Sequence, residues 1–331
     1  MARPGTMTRI FGTSHSGPRA RHEALLYSSA DEFASLTARF VAEGLDNDES
    51  AAVITSAENL DAFRTALDEL SPLVFLVDAD DWYRKPAETV GRWVAFVEGQ
   101  VAKGRSRVRG VGEIAPLRRG HAVEEWLHYE SILNTLFTPL PLWVRCAYNT
   151  EVLPDWIVDD ARTSHPTLIE HGSVSGSDSY VSPAGTPARP LALDGRERFT
   201  HRPVDVATAC AHVEAEARRT GIPEWQVQQL LAAVGEVARN AFVHGGAPVF
   251  VTAWGEPASF VCQIEDSGAS LGDLIAGYRP PLNGTDGWGL WLARQSVDSL
   301  EVGRGPYGSA VRLTVRRSPG TAPEAALPTR L

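Results

Sequence analysis

The sequence predicts two α/β domains in tandem, the first on a mostly parallel sheet, the second an α/β sandwich whose sheet is largely antiparallel or mixed. Three observations predict this. Up to about residue 170, short apolar runs alternate with amphipathic helical stretches, the rhythm of βα units. Residues 171–195 lose that periodicity and turn to Gly, Ser, Pro, Ala and Thr. Beyond them, long helices come first and paired strand-like runs follow. A chain of 331 residues suits two domains of ~100–200 residues each.

In the first half, Phe33, Leu36, Phe40 and Val41 recur at helical spacing and predict a helix over 31–45, with Asp31 as its N-cap. Residues 51–55 and 73–77 are short apolar runs and read as buried strands, with a helix over 57–70 between them. Val90, Trp93, Val94 and Val97 share one side of a helix over 87–101. Strands follow at 108–112 and 142–147, with a helix over 123–137 between them. In the second half a helix covers 204–219, and Pro223 opens a long one that runs to about His244. Strands are expected at 249–254 and 260–265, a Gly- and Pro-rich loop over 268–287, a helix over 290–297, and strands at 300–302 and 310–315. This gives a disordered tail at 1–20, domains over 21–172 and 197–317, a flexible linker over 173–196 and a frayed tail at 318–331.

Composition narrows the function. The net charge is −10 and no basic cluster stands out, which argues against nucleic acid as a partner. No run approaches the roughly 18–20 apolar residues of a membrane span, and residues 1–21 lack the apolar core of a signal peptide, so a cytoplasmic protein is expected. Cys146, Cys210 and Cys262 are far apart and flanked by apolar residues, the pattern of buried free thiols. The scattered His and Glu residues of the first half have no metal-ligand spacing. The only lysines, Lys85 and Lys103, do not close a G-x-x-x-x-G-K-[ST] loop, so a nucleotide site must be built another way.

Three segments of the second half suggest how. In EVARNAFVHG (236–245), Glu236, Asn240 and His244 fall at i, i+4 and i+8 on one helical face, while Leu230, Val234, Val237 and Ala241 lie on the other. A polar stripe facing inward needs a reason, because an unpaired buried polar group costs about 1–3 kcal/mol. A magnesium–phosphate site supplies one: Mg²⁺ prefers hard oxygen ligands, which the Asn240 side-chain carbonyl offers, and Glu236 can hold a water or polarise a hydroxyl. In EDSG (265–268), Asp266 at a strand end can accept from an exocyclic amine, and Gly268 lets backbone approach a flat base. In GWGL (287–290), Gly287 and Gly289 precede or open a helix beside Leu290, where free N–H groups receive phosphates.

In this order the segments resemble the N, G1 and G2 boxes of the GHKL (Bergerat-type) ATPases, and EVARNAFVHG, EDSG and GWGLWLARQSVDSLEV resemble the bacterial anti-sigma regulatory factor branch over about 191–317. The resemblance implies ATP and Mg²⁺ as cofactors, Asn240 as the Mg²⁺ ligand, Glu236 as the base and Asp266 as the adenine contact. Gly268, Gly287 and Gly289 would shape the pocket and lid, with His244 and Leu290 also at the nucleotide. It further implies a serine/threonine protein kinase acting on a small anti-anti-sigma (STAS) protein and binding a sigma factor. Ala269 and Ser270 stand where the family often has a second glycine, Trp288 where it often has Arg, and Arg279 is the one cation of the lid. These departures bear on phosphotransfer more than on nucleotide binding. They keep open a non-catalytic binding module, and the wider group keeps open a histidine kinase-like sensor. No two-helix pattern carrying a phospho-acceptor His precedes the domain.

In the first half, HEALLY (22–27), FVAEG (40–44), RGVGE (109–113), HYE (128–130) with Asn134, CAYNT (146–150) and SHP (164–166) resemble the MEDS sensory domain over about 21–172. That resemblance implies a sensor of small organic molecules on a parallel α/β sheet. The polar residues of these stretches, His22, Tyr27, Glu113, His128, Glu130 and Tyr148, are the candidate ligand contacts, several at expected strand ends. The expected whole is a regulator that couples a signal at the first domain to ATP-dependent partner switching at the second. A homodimer is left open.

Overall fold

The computed structural model describes residues 20–118, 123–183, 189–196, 199–268, 275–278 and 288–317. Of the tails expected at 1–20 and 318–331, residues 1–19 and 318–331 lie outside the described residues, as do Gly287, Ala269, Ser270 and Arg279. The chain divides into two compact units, Met1–Thr186 and Pro187–Leu331.

The first unit opens on β1 (Arg21–Tyr27), the HEALLY stretch, buried along nearly its whole length. Strands β2 (Ser50–Thr55), β3 (Phe75–Asp78), β4 (Val108–Gly112), β5 (Leu142–Asn149), β6 (Thr167–Glu170) and β7 (Ser173–Gly176) complete a sheet of order β3-β2-β4-β5-β1-β6-β7. Every pairing is parallel except β6 with β7. Between the strands run α1 (Ala30–Asp46), α2 (Ala57–Leu67), α3 (Ala79–Trp82), α4 (Pro86–Ala102), α5 (Ala115–Arg118), α6 (Val123–Leu136) and α7 (Asp155–Ser164). Crossover helices cover a parallel sheet on both faces, which is why β2 and β4 are buried on both sides.

The structure corrects several expectations. Ser29, not Asp31, caps α1: its side chain accepts from the Glu32 N–H at 3.2 Å, and Glu32 Oε2 accepts from the Ser28 N–H at 2.8 Å. Helix α2 stops at Leu67 because Asp68 adopts φ +49°, and a 3₁₀ turn over Asp68–Leu73, containing Pro72, follows. Strand β3 is an edge strand with Phe75 43% exposed, not a buried one, since an apolar run alone does not distinguish core from edge. The glycines of RGVGE serve packing: a Cβ on Gly110 would meet the Trp93 ring at 2.8 Å, and one on Gly112 would run into the Tyr83 hydroxyl.

The second unit pairs an antiparallel sheet with helices on one face. Strands β8 (Thr200–His201), β9 (Val249–Gly255), β10 (Ser259–Asp266), β11 (Ser299–Gly305) and β12 (Gly308–Arg316) run in the order β11-β12-β10-β9-β8. Helices α8 (Val206–Arg219), α9 (Glu224–His244) and α10 (Trp288–Ser296) cover it. Asp205 caps α8 in a reciprocal box with Thr208. Leu230, Val234 and Val237 of α9 pack with Val251, Ile264 and Leu313 of the sheet in one core.

The stretch expected as a linker over 173–196 is largely structured. Ser173–Gly176 is strand β7, and residues 189–196 belong to the second unit. There the Leu191 N–H donates to the Arg304 carbonyl at 2.6 Å, the Gln263 amide donates to the Leu191 carbonyl at 3.0 Å, and Leu193 packs with Trp254 and Val261 on the sheet's other face. Leu191 and Leu193 are buried, two apolar residues too few to show periodicity.

Candidate functional site

In the second unit the three sequence segments come together around the C-terminal half of α9. Glu236 and Asn240 are half-buried one turn apart on the same face; His244 is exposed in the last turn. A Cβ added to Gly289, in the first turn of α10, would lie 2.7 Å from Glu236 Oε2, so this glycine lets the α10 N-terminus close on the α9 carboxylate. Glu236 Oε1 accepts from Arg239 at 2.6 Å. Leu290 turns into the core beneath.

The end of α9 feeds the second cluster. Asp266, the last residue of β10, accepts through Oδ1 from the Gly268 N–H at 2.9 Å and the Gly246 N–H at 3.2 Å. The Ser267 N–H donates to the Gly246 carbonyl and its hydroxyl to the Ala247 carbonyl. A Cβ on Gly245 would run into the Asp266 carboxylate, and one on Gly246 would sit 2.7 Å from the Gly268 nitrogen. Glycine at 245, 246 and 268 therefore lets two backbone segments clasp one carboxylate. No Asp266 Oδ2 bond is recorded among the described residues, which suits it to accept from a ligand.

Two contributors escape sequence reasoning. Gly277, at φ +76°, sits where a Cβ would lie 2.7 Å from the backbone carbon and oxygen of Leu290, so the turn at residues 275–278 presses directly on α10. Arg294 fixes that turn: it donates to the Ala276 carbonyl at 3.0 Å and the Leu300 carbonyl at 2.6 Å, and its guanidinium lies 3.9 Å from the centre of the Tyr278 ring. Buried Arg294 in the sequence reads only as helix surface.

In the first unit the six candidate residues separate. Glu113, 3% exposed just past β4, accepts from Tyr27 (3.1 Å), Thr55 (2.6 Å), the Ser56 N–H (3.0 Å) and Asn59 (3.2 Å). Asn59 also donates to the Tyr27 hydroxyl at 2.9 Å, closing the network at the carboxyl ends of β1, β2 and β4. His22, Glu130 and Tyr148 lie in a different, fully buried group that includes Cys146 and His165. His22 Nε2 is 3.3 Å from Glu130 Oε2 and 3.2 Å from Cys146 Sγ, and His165 Nε2 is 3.1 Å from the same carboxylate oxygen. Tyr148 meets the His165 ring edge-on at 5.7 Å. Burial, with His165 adding to it, pushes His22 down to about 4. Burial also works against a charge on Glu130, but the His165 and His22 rings facing it outweigh burial and hold the carboxyl below the usual range. Burial and the Glu130 carboxylate push the Cys146 thiol well up. His128 joins neither group: two positions before Glu130 on α6, it points roughly to the other side of the helix and is half-buried.

A cleft of about 380 Å³ opens where β1, β5 and β6 end, lined by Tyr27, Ser28, Thr150, Arg162, Glu170 and His171. Carboxyl ends of parallel strands are where open α/β sheets hold ligands. Of the candidate residues, only Tyr27 borders it.

Among the described residues no helix is long and apolar enough to cross a membrane. A family model described as the MEthanogen/methylotroph, DcmR Sensory domain (MEDS) matches residues 21–166. A second, the histidine kinase-like ATPase domain, matches residues 199–315. No curated protein matches the chain. Among solved structures, the flagellar accessory protein FlaH from Methanocaldococcus jannaschii is similar over 50% of this chain and 78% of its own, at 15% identity and a TM-score of 0.30. The parallel-sheet unit and the antiparallel-sheet unit thus coincide with the two matches, and the chain is a MEDS domain followed by a histidine kinase-like ATPase domain.

Proposed function

We propose that the protein is a signalling regulator whose ATPase domain binds ATP with Mg²⁺ and phosphorylates a serine of a small anti-anti-sigma (STAS) protein, thereby freeing or holding a sigma factor, under control of a small organic molecule at the MEDS domain. The observation that carries the reading is the meeting of Glu236 with Gly289, one turn of α9 from Asn240, beside the clasp of Gly245, Gly246 and Gly268 on Asp266. The donor set fits the cofactor: a side-chain amide oxygen and a carboxylate one turn apart suit a hard cation, and the glycines leave backbone open to a flat base and to phosphates. When bound, ATP supplies the phosphoryl group and Mg²⁺ neutralises part of its charge. Asp266 takes the amine of the base, Asn240 offers its carbonyl oxygen to the cation, and Glu236 takes the proton of the incoming serine hydroxyl. The cleft at the ends of β1, β5 and β6 is the place for the organic ligand.

One observation favours a second reading. Glu236 is held by Arg239 at 2.6 Å, an arrangement that suits a module binding ATP and its partner without phosphotransfer. Calorimetric titration of ATP with Mg²⁺ into wild type and Asn240→Ala is the first test. Binding in the wild type that weakens at least tenfold in the variant, about 1.4 kcal/mol, supports the site; no binding in the wild type sinks the nucleotide reading. Glu236→Gln then separates the two activities. A kinase loses serine transfer and keeps ATP, whereas a binding module keeps its regulation of the partner.

A further inference from the structure

The buried group His22, Glu130, Cys146 and His165 has no part in the proposed ATP chemistry, and none of its members lines the cleft. Its members come from four separate places: His22 from β1, Glu130 from α6, Cys146 from β5 and His165 from just beyond α7. Ala24 pairs with Cys146 across β1 and β5, so His22, two residues before Ala24, shares the face on which Cys146 points. Helix α6 lies over that face and lowers Glu130 onto both.

With both histidines neutral, the ligand state of an imidazole, the hydrogen-bond roles in this group leave lone pairs converging on one point. His165 Nδ1 lies 2.8 Å from the Ala161 carbonyl and 3.0 Å from Ser164 Oγ; the carbonyl can only accept, which assigns the proton to Nδ1. In the neutral ring Nε2 then holds a lone pair, and this atom faces Glu130 Oε2 at 3.1 Å, acceptor against acceptor. Among the described residues, His165 Nε2 and Glu130 Oε1 are buried and make no hydrogen bond of good geometry. His22 Nε2 points at the same carboxylate oxygen and at the Cys146 sulfur. All four potential ligand atoms lie within 4.8 Å of one another. Bond lengths of ~2.0–2.3 Å place the corners of a tetrahedral zinc site about 3.3–3.8 Å apart, between the 3.1–3.3 Å of the three pairs given above and the 4.8 Å that bounds the whole set.

We propose that His22, Glu130, Cys146 and His165 form a closed tetrahedral site for a divalent metal of the zinc class. Two imidazoles, one carboxylate and one thiolate suit Zn²⁺ in donor softness. Charge closes as well: one dication, one carboxylate and one thiolate sum to zero beside two neutral imidazoles, the condition a dry interior demands. On binding, the Cys146 S–H bond breaks, its proton leaves to solvent and the sulfur lone pair goes to the metal. Contacts that orient the ligands are in place, with His165 Nδ1 donating to the Ala161 carbonyl and Asn134, which donates to the Ser164 carbonyl at 2.8 Å, also bordering His22. With four protein ligands no position is left for substrate, so the metal ties β1, β5, α6 and the end of α7 together.

The test uses the full-length chain purified without chelator. Elemental analysis is expected to find about one zinc per chain. Protein stripped and reloaded with Co²⁺ is expected to show visible bands of tetrahedral cobalt together with a thiolate-to-cobalt charge-transfer band. Cys146→Ser is expected to lose the charge-transfer band and to bind zinc more than about a hundredfold more weakly, while His212→Gln in the other unit keeps both. Wild-type protein that takes up neither zinc nor cobalt overturns the proposal, as does a charge-transfer band that survives Cys146→Ser. Should Cys146→Ser fail to fold, the wild type decides alone: X-ray absorption on the zinc-loaded chain must show one sulfur with three nitrogen or oxygen neighbours, and any other first shell overturns the site.

Discussion

Glu113 and Asp266 are both carboxylates at the carboxyl end of a strand, one in each unit, and they are held by opposite means. Glu113 is sealed in, with the side chains of Tyr27, Thr55 and Asn59 and one backbone N–H donating to it. Asp266 is only partly buried and is clasped by backbone, through the N–H groups of Gly246 and Gly268. The first arrangement uses up a carboxylate's acceptor capacity and locks three strand ends together. The second fixes a carboxylate while leaving part of it for something else. A carboxylate braced by glycine backbone is therefore a candidate for binding, and one ringed by side chains is structural.

The comparison is broken or sharpened first by truncating each carboxylate. Glu113→Ala leaves the surrounding donors buried with no acceptor, at about 1–3 kcal/mol for each that finds no new partner. Partial re-pairing between Asn59 and Tyr27 limits the loss to about 3–5 kcal/mol. Thermal unfolding of the variant is expected to show the MEDS domain melting well before the ATPase domain. Asp266→Ala releases two N–H groups near solvent and is expected to cost under about 1.5 kcal/mol, while ATP binding drops to the limit of detection in calorimetry. If the two variants exchange these behaviours, the assignment of structural and binding carboxylate is reversed.

A smaller effect tests how the proposed ATP site is supported from behind. At Gly277 an L side chain meets both an unfavourable φ of +76° and the Leu290 backbone at 2.7 Å. Neither obstacle is a flexible side-chain end, so Gly277→Ala is expected to destabilise the ATPase domain by about 2 kcal/mol. Because the turn presses on α10, ATP affinity is expected to weaken several-fold although residue 277 bears no candidate ligand group. Gly289→Ala makes the control: its Cβ meets only the end of the Glu236 side chain, which can swing away, so stability should change little while the site is disturbed directly. A Gly277→Ala protein as stable as wild type would mean that the turn is not held against α10 in solution.

These contrasts also explain what could be read in the sequence. Most ATPase elements were legible to within two residues at each end, because α9 carries its apolar stripe and its polar stripe at one helical period and β9 and β10 are bounded by turns, but β11 was expected only over 300–302 and β8 not at all. Its candidate residues are local in sequence, and so Glu236, Asn240 and Asp266 could be named; Gly277 and Arg294 could not, since their roles depend on a contact between separate segments. In the MEDS domain the alternation of strand and helix was legible, but β1 was met only as a motif, and the edge position of β3 and the pairing of β7 are facts of the sheet as a whole. The group around Glu130 was least legible. Ligand spacing is a local signal, and here the four members are brought together by strand order and by the helices packed on the sheet, between residues as far apart as His22 and His165.

The smallest expected effect lies in the ATPase domain, where burial of a side chain outweighs the partners that favour its charge. His212 of α8 stacks on His201 at 4.8 Å, and burial, with His201 adding to it, lowers its pKa below the ordinary 6.5. The folded domain thus holds His212 neutral where the unfolded chain already takes up a proton. Its contribution to stability is present above pH 6.5 and is lost as the pH falls from there toward the lowered value, because the unfolded state binds more protons across that window. Melting of the ATPase domain between pH 7.5 and pH 5.5 should therefore show a decline that His212→Gln reduces by about one or two degrees in Tm, with no difference between the proteins at pH 7.5 beyond a constant offset. An unchanged slope in the variant would show that His212 is no better protected from water than it is in the unfolded chain, and that this end of α8 opens freely, unlike the sealed groups of the MEDS domain.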